Sequence, residues 1–101
     1  MTDPADQRPP TWTFLSNHGH VLLCIARDPG VRVREIAQAV GITERAVQRI
    51  LGELEAAGVI SRTRQGRRTH YEINDQLPLR HPIEADHSIG ELMRLATLNE
   101  L

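Results

Sequence analysis

Cysteine is nearly absent: Cys24 is the only one in 101 residues. A disulfide framework, an iron–sulfur cluster or a thiol-rich zinc site therefore cannot be built within one chain. Aromatics are equally scarce, with one Trp, one Phe and one Tyr, and lysine is missing altogether. All twelve basic side chains are arginine. Arginine suits bidentate contacts to carboxylate or phosphate, and a GC-rich genome produces the same bias. No uninterrupted apolar run approaches the roughly 20 residues that span a bilayer. The polar, proline-rich residues 1–10 show no signal-peptide pattern, so a cytoplasmic location without membrane partners is expected. Catalytic apparatus is lacking too. There is no phosphate-cradling glycine loop, no nucleophile with a recognisable base and no paired carboxylates, so neither an enzyme nor a cofactor is expected.

What remains is a chain sized for one compact domain, able to bury about two-thirds of its unfolded surface. Its 40% hydrophobic and 25% charged residues are ordinary for a globular protein. The net charge of -1 argues against a polyanionic partner until it is resolved along the chain. Residues 31–72 hold eight arginines against five acids, or +3, while residues 1–30 carry -1 and residues 73–101 carry -3. The basic charge is local, and it coincides with the most patterned part of the sequence.

That part is residues 33–52. Ile36 and Val40 lie one helical turn apart, and Val47, Ile50, Leu51 and Leu54 form an i, i+3, i+4, i+7 stripe on a following helix. Ala37 lets two helices cross closely, Gly41 can end the first in a left-handed conformation, and Thr43 can cap the second. Helices are predicted at 17–27, 33–40 and 44–57, the first being the most buried and ending at Asp28-Pro29-Gly30, the last closed by Gly58. Residues 59–64 and 68–73 read as a hairpin around Gln65-Gly66-Arg67, with Tyr71 and Ile73 turned inward. Trp12 and Phe14 are expected to pack on the domain. Ser88-Ile89-Gly90-Glu91 has the form of a capping box that starts a final helix, although Gly90 weakens it by about 1 kcal/mol relative to alanine. The expected organisation is a flexible tail at 1–10, a domain at 11–75, a connecting loop at 76–87 and a C-terminal helix at 88–101.

The order of these elements, with the run Arg34-Glu35-Ile36-Ala37-Gln38-Ala39-Val40-Gly41-Ile42-Thr43-Glu44-Arg45-Ala46-Val47, resembles winged helix-turn-helix repressors of the MarR and ArsR classes. Leu54-Glu55-Ala56-Ala57-Gly58-Val59-Ile60 and the basic hairpin ending in Thr69-His70-Tyr71 extend the resemblance, which covers residues 12–73. The length fits the ArsR type better. The resemblance implies a fold that is mainly α with a small β-hairpin: a three-helix core plus wing, and an additional C-terminal helix. It also implies a sequence-specific regulator of double-stranded DNA, acting as a homodimeric repressor on an inverted repeat with half-sites about 10–10.5 base pairs apart. No residue speaks against activation instead, and none names a small-molecule effector.

On this resemblance the third helix enters the major groove, with Thr43, Glu44, Arg45, Gln48 and Arg49 on the side away from the apolar stripe. Arginine can bridge guanine, glutamine can pair with adenine, and Glu44 can accept from cytosine. The alternative for this set is a solvated face with i, i+4 pairing such as Arg49 to Glu53. In the wing, Arg62 and Arg64 share a face by period two and Arg67 and Arg68 flank the tip, so four arginines are expected to converge on phosphates or a narrow minor groove. An edge hairpin protected by charge is the plainer alternative. Arg32 and Arg34 are weaker phosphate candidates. Ile89, Leu92, Met93, Leu95 and Ala96 form one apolar side of the last helix and are the candidate dimer interface; the same side could close the monomer core.

Two other functions compete. ArsR relatives include metal sensors, and His81, Glu84, Asp86, His87 and Glu91 cluster before and on the last helix, but no second histidine follows within it, so no metal site is assigned. The apolar neighbours of Cys24 mark a small hydrophobe rather than a redox thiolate, and His18 and His20 are read as helping to start the first helix. Winged helices also serve as protein-interaction modules without DNA binding. Such a module would more often expose an apolar patch where Arg45, Gln48 and Arg49 stand.

Overall fold

A computed structural model describes residues 10–97. The expected tail at 1–10 and the end of the helix at 88–101 fall almost wholly or partly outside those residues. Three helices, α1 (Asn17–Arg27), α2 (Val33–Val40) and α3 (Glu44–Ala56), lead into an antiparallel hairpin of β1 (Ile60–Gln65) and β2 (Arg68–Ile73). A 3₁₀ turn (Pro82–Glu84) and a last helix, α4 (Ile89–Thr97), follow. This is the expected winged helix-turn-helix, and its helical boundaries lie within a residue or two of the pattern-based ones.

Local chemistry explains those boundaries. Ser16 Oγ accepts from the Gly19 N–H at 3.4 Å and Thr43 Oγ1 from the Ala46 N–H at 3.0 Å, which satisfies orphan donors of α1 and α3. Gly41 ends α2 at φ +84°, so the Ile42 N–H reaches back to the Ala37 carbonyl at 3.1 Å; a side chain here would strain that backbone. The Val59 N–H donates to the Leu54 carbonyl at 2.9 Å and closes α3. Val59 therefore belongs to the helix exit, and β1 starts one residue later than its alternation suggests. The register pairs Ile60 with Ile73 and Gln65 with Arg68, leaving Gly66-Arg67 as a two-residue turn.

The innermost side chains are Val21 and Ile25 of α1, Ile36 of α2, and Val47, Ile50 and Leu51 of α3. Full burial of each is worth about 1.5–3 kcal/mol. Contrary to expectation α1 is not the most buried helix. It buries Val21, Leu22 and Ile25, whereas α3, packed against α1, α2 and β1, buries Val47, Ile50, Leu51 and Leu54. Tyr71 is buried and Ile73 half-buried, and the Tyr71 N–H donates to the Pro29 carbonyl at 2.9 Å, fastening the wing to the α1–α2 loop.

Two expectations near the chain ends need correction. Trp12 and Phe14 do not pack on the domain: they are 67% and 92% exposed and meet each other edge to face at 5.0 Å. The last helix does not present its whole apolar side outward either. Ile89, Met93 and Ala96 are buried against α1 within the monomer and Leu92 is half-buried, leaving Leu95 half-exposed. The connection at 76–87 is tied at its ends, with the Ile89 N–H donating to the Leu77 carbonyl and the Gly90 N–H to the Asp75 carbonyl, both at 2.8 Å. Gly90 permits that approach, since a Cβ there would stand 2.9 Å from the Asp75 oxygen. The capping box forms: Ser88 N–H donates to Glu91 Oε1 and Glu91 N–H to Ser88 Oγ, both at 3.1 Å.

Candidate nucleic-acid interface

Burying the apolar stripe of α3 turns the opposite face of the helix to solvent. Thr43, Glu44, Arg45, Gln48 and Arg49 are all exposed there. Their surroundings differ. Arg45 and Gln48 bond to no other described residue. Arg49 Nη1 donates to Glu53 Oε1 at 3.0 Å, and the same oxygen accepts from His18 Nε2 of α1 at 2.9 Å. The hydrogen bond from His18, helped by the positive charge of Arg49, lowers the pKa of the Glu53 carboxyl. The Arg49–Glu53 pair was legible as an i, i+4 spacing; the His18 contact, 35 positions away, carries no local signal.

The hairpin does not bring its four arginines together. Arg62 lies on the inward side of β1, opposite buried Tyr71, and its Nε and Nη2 donate to Glu55 Oε1 at 3.1 and 3.0 Å. Period two places Arg62 and Arg64 on one face, but that face begins at buried Ile60, so its near end belongs to the core and only its far end reaches solvent. Glu55 is the partner that sequence reasoning missed, because the pair depends on how the chain reverses after α3. Arg64 is exposed and donates from Nε to the Gly66 carbonyl at 3.2 Å, bracing the turn.

Arg67 and Arg68 are exposed at the tip and bond to no other described residue. With Arg32 they line a cleft of about 370 Å³ between the start of α2 and the wing, closed at its base by Gly30 and Tyr71. Three cations around one cleft beside a helix N-terminus favour an anion of phosphate size. Arg34 is exposed on α2 outside that cleft.

The acidic and histidine residues near α4 have local roles. His81 Nδ1 accepts from the Ile83 N–H at 3.1 Å, and His87 Nδ1 donates to Glu91 Oε2 at 2.7 Å. That bond, with the nearby Asp86 charge, raises the His87 pKa, and it lowers that of Glu91 together with the Ser88 N–H. Among the described residues no three His, Cys, Asp or Glu side chains gather as metal ligands. Burial raises the Cys24 thiol pKa, away from thiolate reactivity.

Comparison with known proteins agrees with this geometry. Residues 16–61 match the sequence model of a family described as winged helix-turn-helix DNA-binding. By fold and by this match the chain is a winged helix-turn-helix protein. Its fold is similar to that of MepR, a transcription regulator of the Staphylococcus aureus multidrug efflux pump MepA, with a TM-score of 0.53 at 20% identity over 83% of this chain and 58% of that one. A stretch of 49 residues, 48% of the chain, is 43% identical to part of a riboflavin kinase from Thermococcus kodakarensis. The chain covers only 23% of that kinase and less than two-thirds of MepR. The family description names DNA binding and no reaction. No helix among the described residues is long and apolar enough to cross a membrane.

Proposed function

We propose that this protein is a cytoplasmic, sequence-specific regulator of transcription that binds double-stranded DNA as a homodimer on an inverted repeat and represses by occupying the promoter. The observation that carries the reading is the outward edge of α3, where Arg45 and Gln48 stand exposed and unbonded while Val47, Ile50 and Leu51 lock the helix from behind. Rigid helices position side chains well enough to read base edges, and here the readers spend nothing breaking internal bonds. Arg32, Arg67 and Arg68, around their common cleft, serve the sugar–phosphate backbone, and Arg64 braces the wing tip. Arg62 drops out of the DNA-contacting set because Glu55 holds it. The face offered to DNA is polar; the exposed rings of Trp12 and Phe14 precede α1, outside both α3 and the wing, which favours DNA over a protein partner on this face.

Selection of bound duplexes from a random library, with the winners titrated against salt, tests the reading. Enrichment of an inverted repeat is expected. On the selected site Arg45→Ala weakens binding by about 5- to 150-fold, the cost of one bidentate contact, and leaves random DNA unaffected. Arg67→Ala weakens both and lowers the salt slope by about one. Absence of enrichment, or equal loss on both duplexes for Arg45→Ala, would remove sequence-specific reading by α3.

A further inference from the structure

The two rings before α1 are the largest apolar groups that the fold leaves uncovered, at 67% exposure for Trp12 and 92% for Phe14. They are not scattered. The rings pack on each other edge to face at 78°, so they form one ridge. Their neighbours Pro10 and Thr13 line a groove of about 410 Å³ whose floor includes Leu23 and Cys24 of α1, Val40 of α2 and Leu95 of α4. Leu95 is itself half-exposed, on the one part of the apolar side of α4 that the monomer core does not use. Ridge and groove therefore adjoin on one surface.

We propose that this surface is where a second copy of the chain docks, the Trp12–Phe14 ridge of each copy lying in the groove of the other. The inference rests on the homodimer of the proposed function and moves its interface from the buried side of α4 to the N-terminal ridge, α1 and Leu95. Two features favour a second copy over an unrelated partner. A twofold contact needs a surface complementary to itself, and an adjoining ridge and groove provide one. The area also suffices: two rings this exposed leave roughly 300 Å² of apolar surface per chain. Covering them against an equal area of partner groove, twice over, buries about 1,200 Å² in total, the lower bound of a stable interface. Residues 1–9, MTDPADQRP, offer only Met1 as a large apolar side chain to cover the ridge from within.

Trp12 is the only tryptophan, so its fluorescence reports directly on the ridge. Sedimentation equilibrium and Trp emission are followed over the same dilution series for the full chain and for Phe14→Ser and Leu95→Glu, with circular dichroism as the control for folding. Both substituted positions are exposed, so the monomer fold survives. The unaltered chain is expected to sediment as a dimer whose emission shifts to the red on dilution as the dimer dissociates. Both variants should raise the dissociation constant at least about tenfold, as loss of a central aromatic or apolar anchor does. A monomer at every concentration overturns the proposal, whether its Trp12 emission is red or is blue because the chain's own termini cover the ridge. So does a dimer indifferent to both substitutions. DNA reading is scored separately through Arg45→Ala: a monomer that still discriminates sequences refutes the interface alone, and a ridge-dependent dimer without discrimination refutes the DNA reading alone.

Discussion

Met93→Ala decides between the two roles open to α4. Met93 is 8% exposed and sits with Ile89 and Ala96 on the side packed against α1, beside Ile25 and Tyr71. Truncating a buried Met to Ala typically costs about 2–5 kcal/mol, from lost transfer energy plus the cavity left behind. This site borders an open cleft of about 390 Å³ lined by Ile25, Ile73 and Gly90 among others, so neighbours and water can relax into the vacated space. The expected loss is therefore in the lower half, about 2–3 kcal/mol, against a total of about 5–15 for a domain of this kind. For a chain of this size that corresponds to a fall in Tm of about 8–15 °C. Leu95→Ala, at a half-exposed position on the same helix, should cost less than about 1 kcal/mol. Urea unfolding followed by circular dichroism at one fixed protein concentration measures both, with sedimentation run in parallel. A Met93→Ala protein that unfolds within about 0.5 kcal/mol of the parent but no longer self-associates would refute the reasoning and return this side of α4 to the dimer interface.

Glu53→Gln should act with opposite signs on stability and binding: removal of the anion that holds His18 and Arg49 lowers Tm slightly, while Arg49 becomes available and DNA affinity rises about two- to fivefold at low salt, fading as salt screens it. Fluorescence anisotropy on one duplex across a salt series checks this, and weaker binding at low salt would contradict it. At the start of α4 the pH dependence follows from the His87–Glu91 pair. The raised His87 pKa contributes stability that is complete below the unfolded value of 6.5 and is lost as pH rises through the folded value. The lowered Glu91 pKa contributes stability present above the unfolded value of 4.5 and lost as pH falls through its folded value. The pair thus supports α4 best between pH 4.5 and 6.5. Melting curves of His87→Gln should lack the parent's loss on the alkaline side of that window; a parallel pH profile in the two proteins would show that the pair contributes nothing.

The helix-turn-helix was readable because each of its signals is local. An apolar stripe of period 3.6, a threonine placed to cap and Gly41 at the bend each act within a few residues, where sequence spacing and spatial distance agree. The outward face of α3 was readable by subtraction from the buried stripe. The wing misled for an equally specific reason: alternation says that Arg62 and Arg64 share a face, but it cannot say that the face begins on the core at Ile60 and ends in solvent. Gly90 was read as a weakness of α4. It is the residue that lets the Asp75 carbonyl approach, a contact fifteen positions back along the chain.

The sequence by itself determined the order and extent of the elements, the buried stripe of α3 and hence the residues presented opposite it. These follow from backbone propensity and from which side chains must leave water. Tertiary structure alone decided which surface covers each apolar side and which arginines remain unbonded. Burial of Ile89, Met93 and Ala96 against α1, and the exposure of Trp12 and Phe14, invert what hydrophobicity alone suggested. Glu55 captures Arg62 and Glu53 is shared by Arg49 and His18, while Arg45, Arg67 and Arg68 bond to no other described residue. The hydrophobic effect has no direction: it requires that an apolar face be covered, and only the packed chain specifies by what.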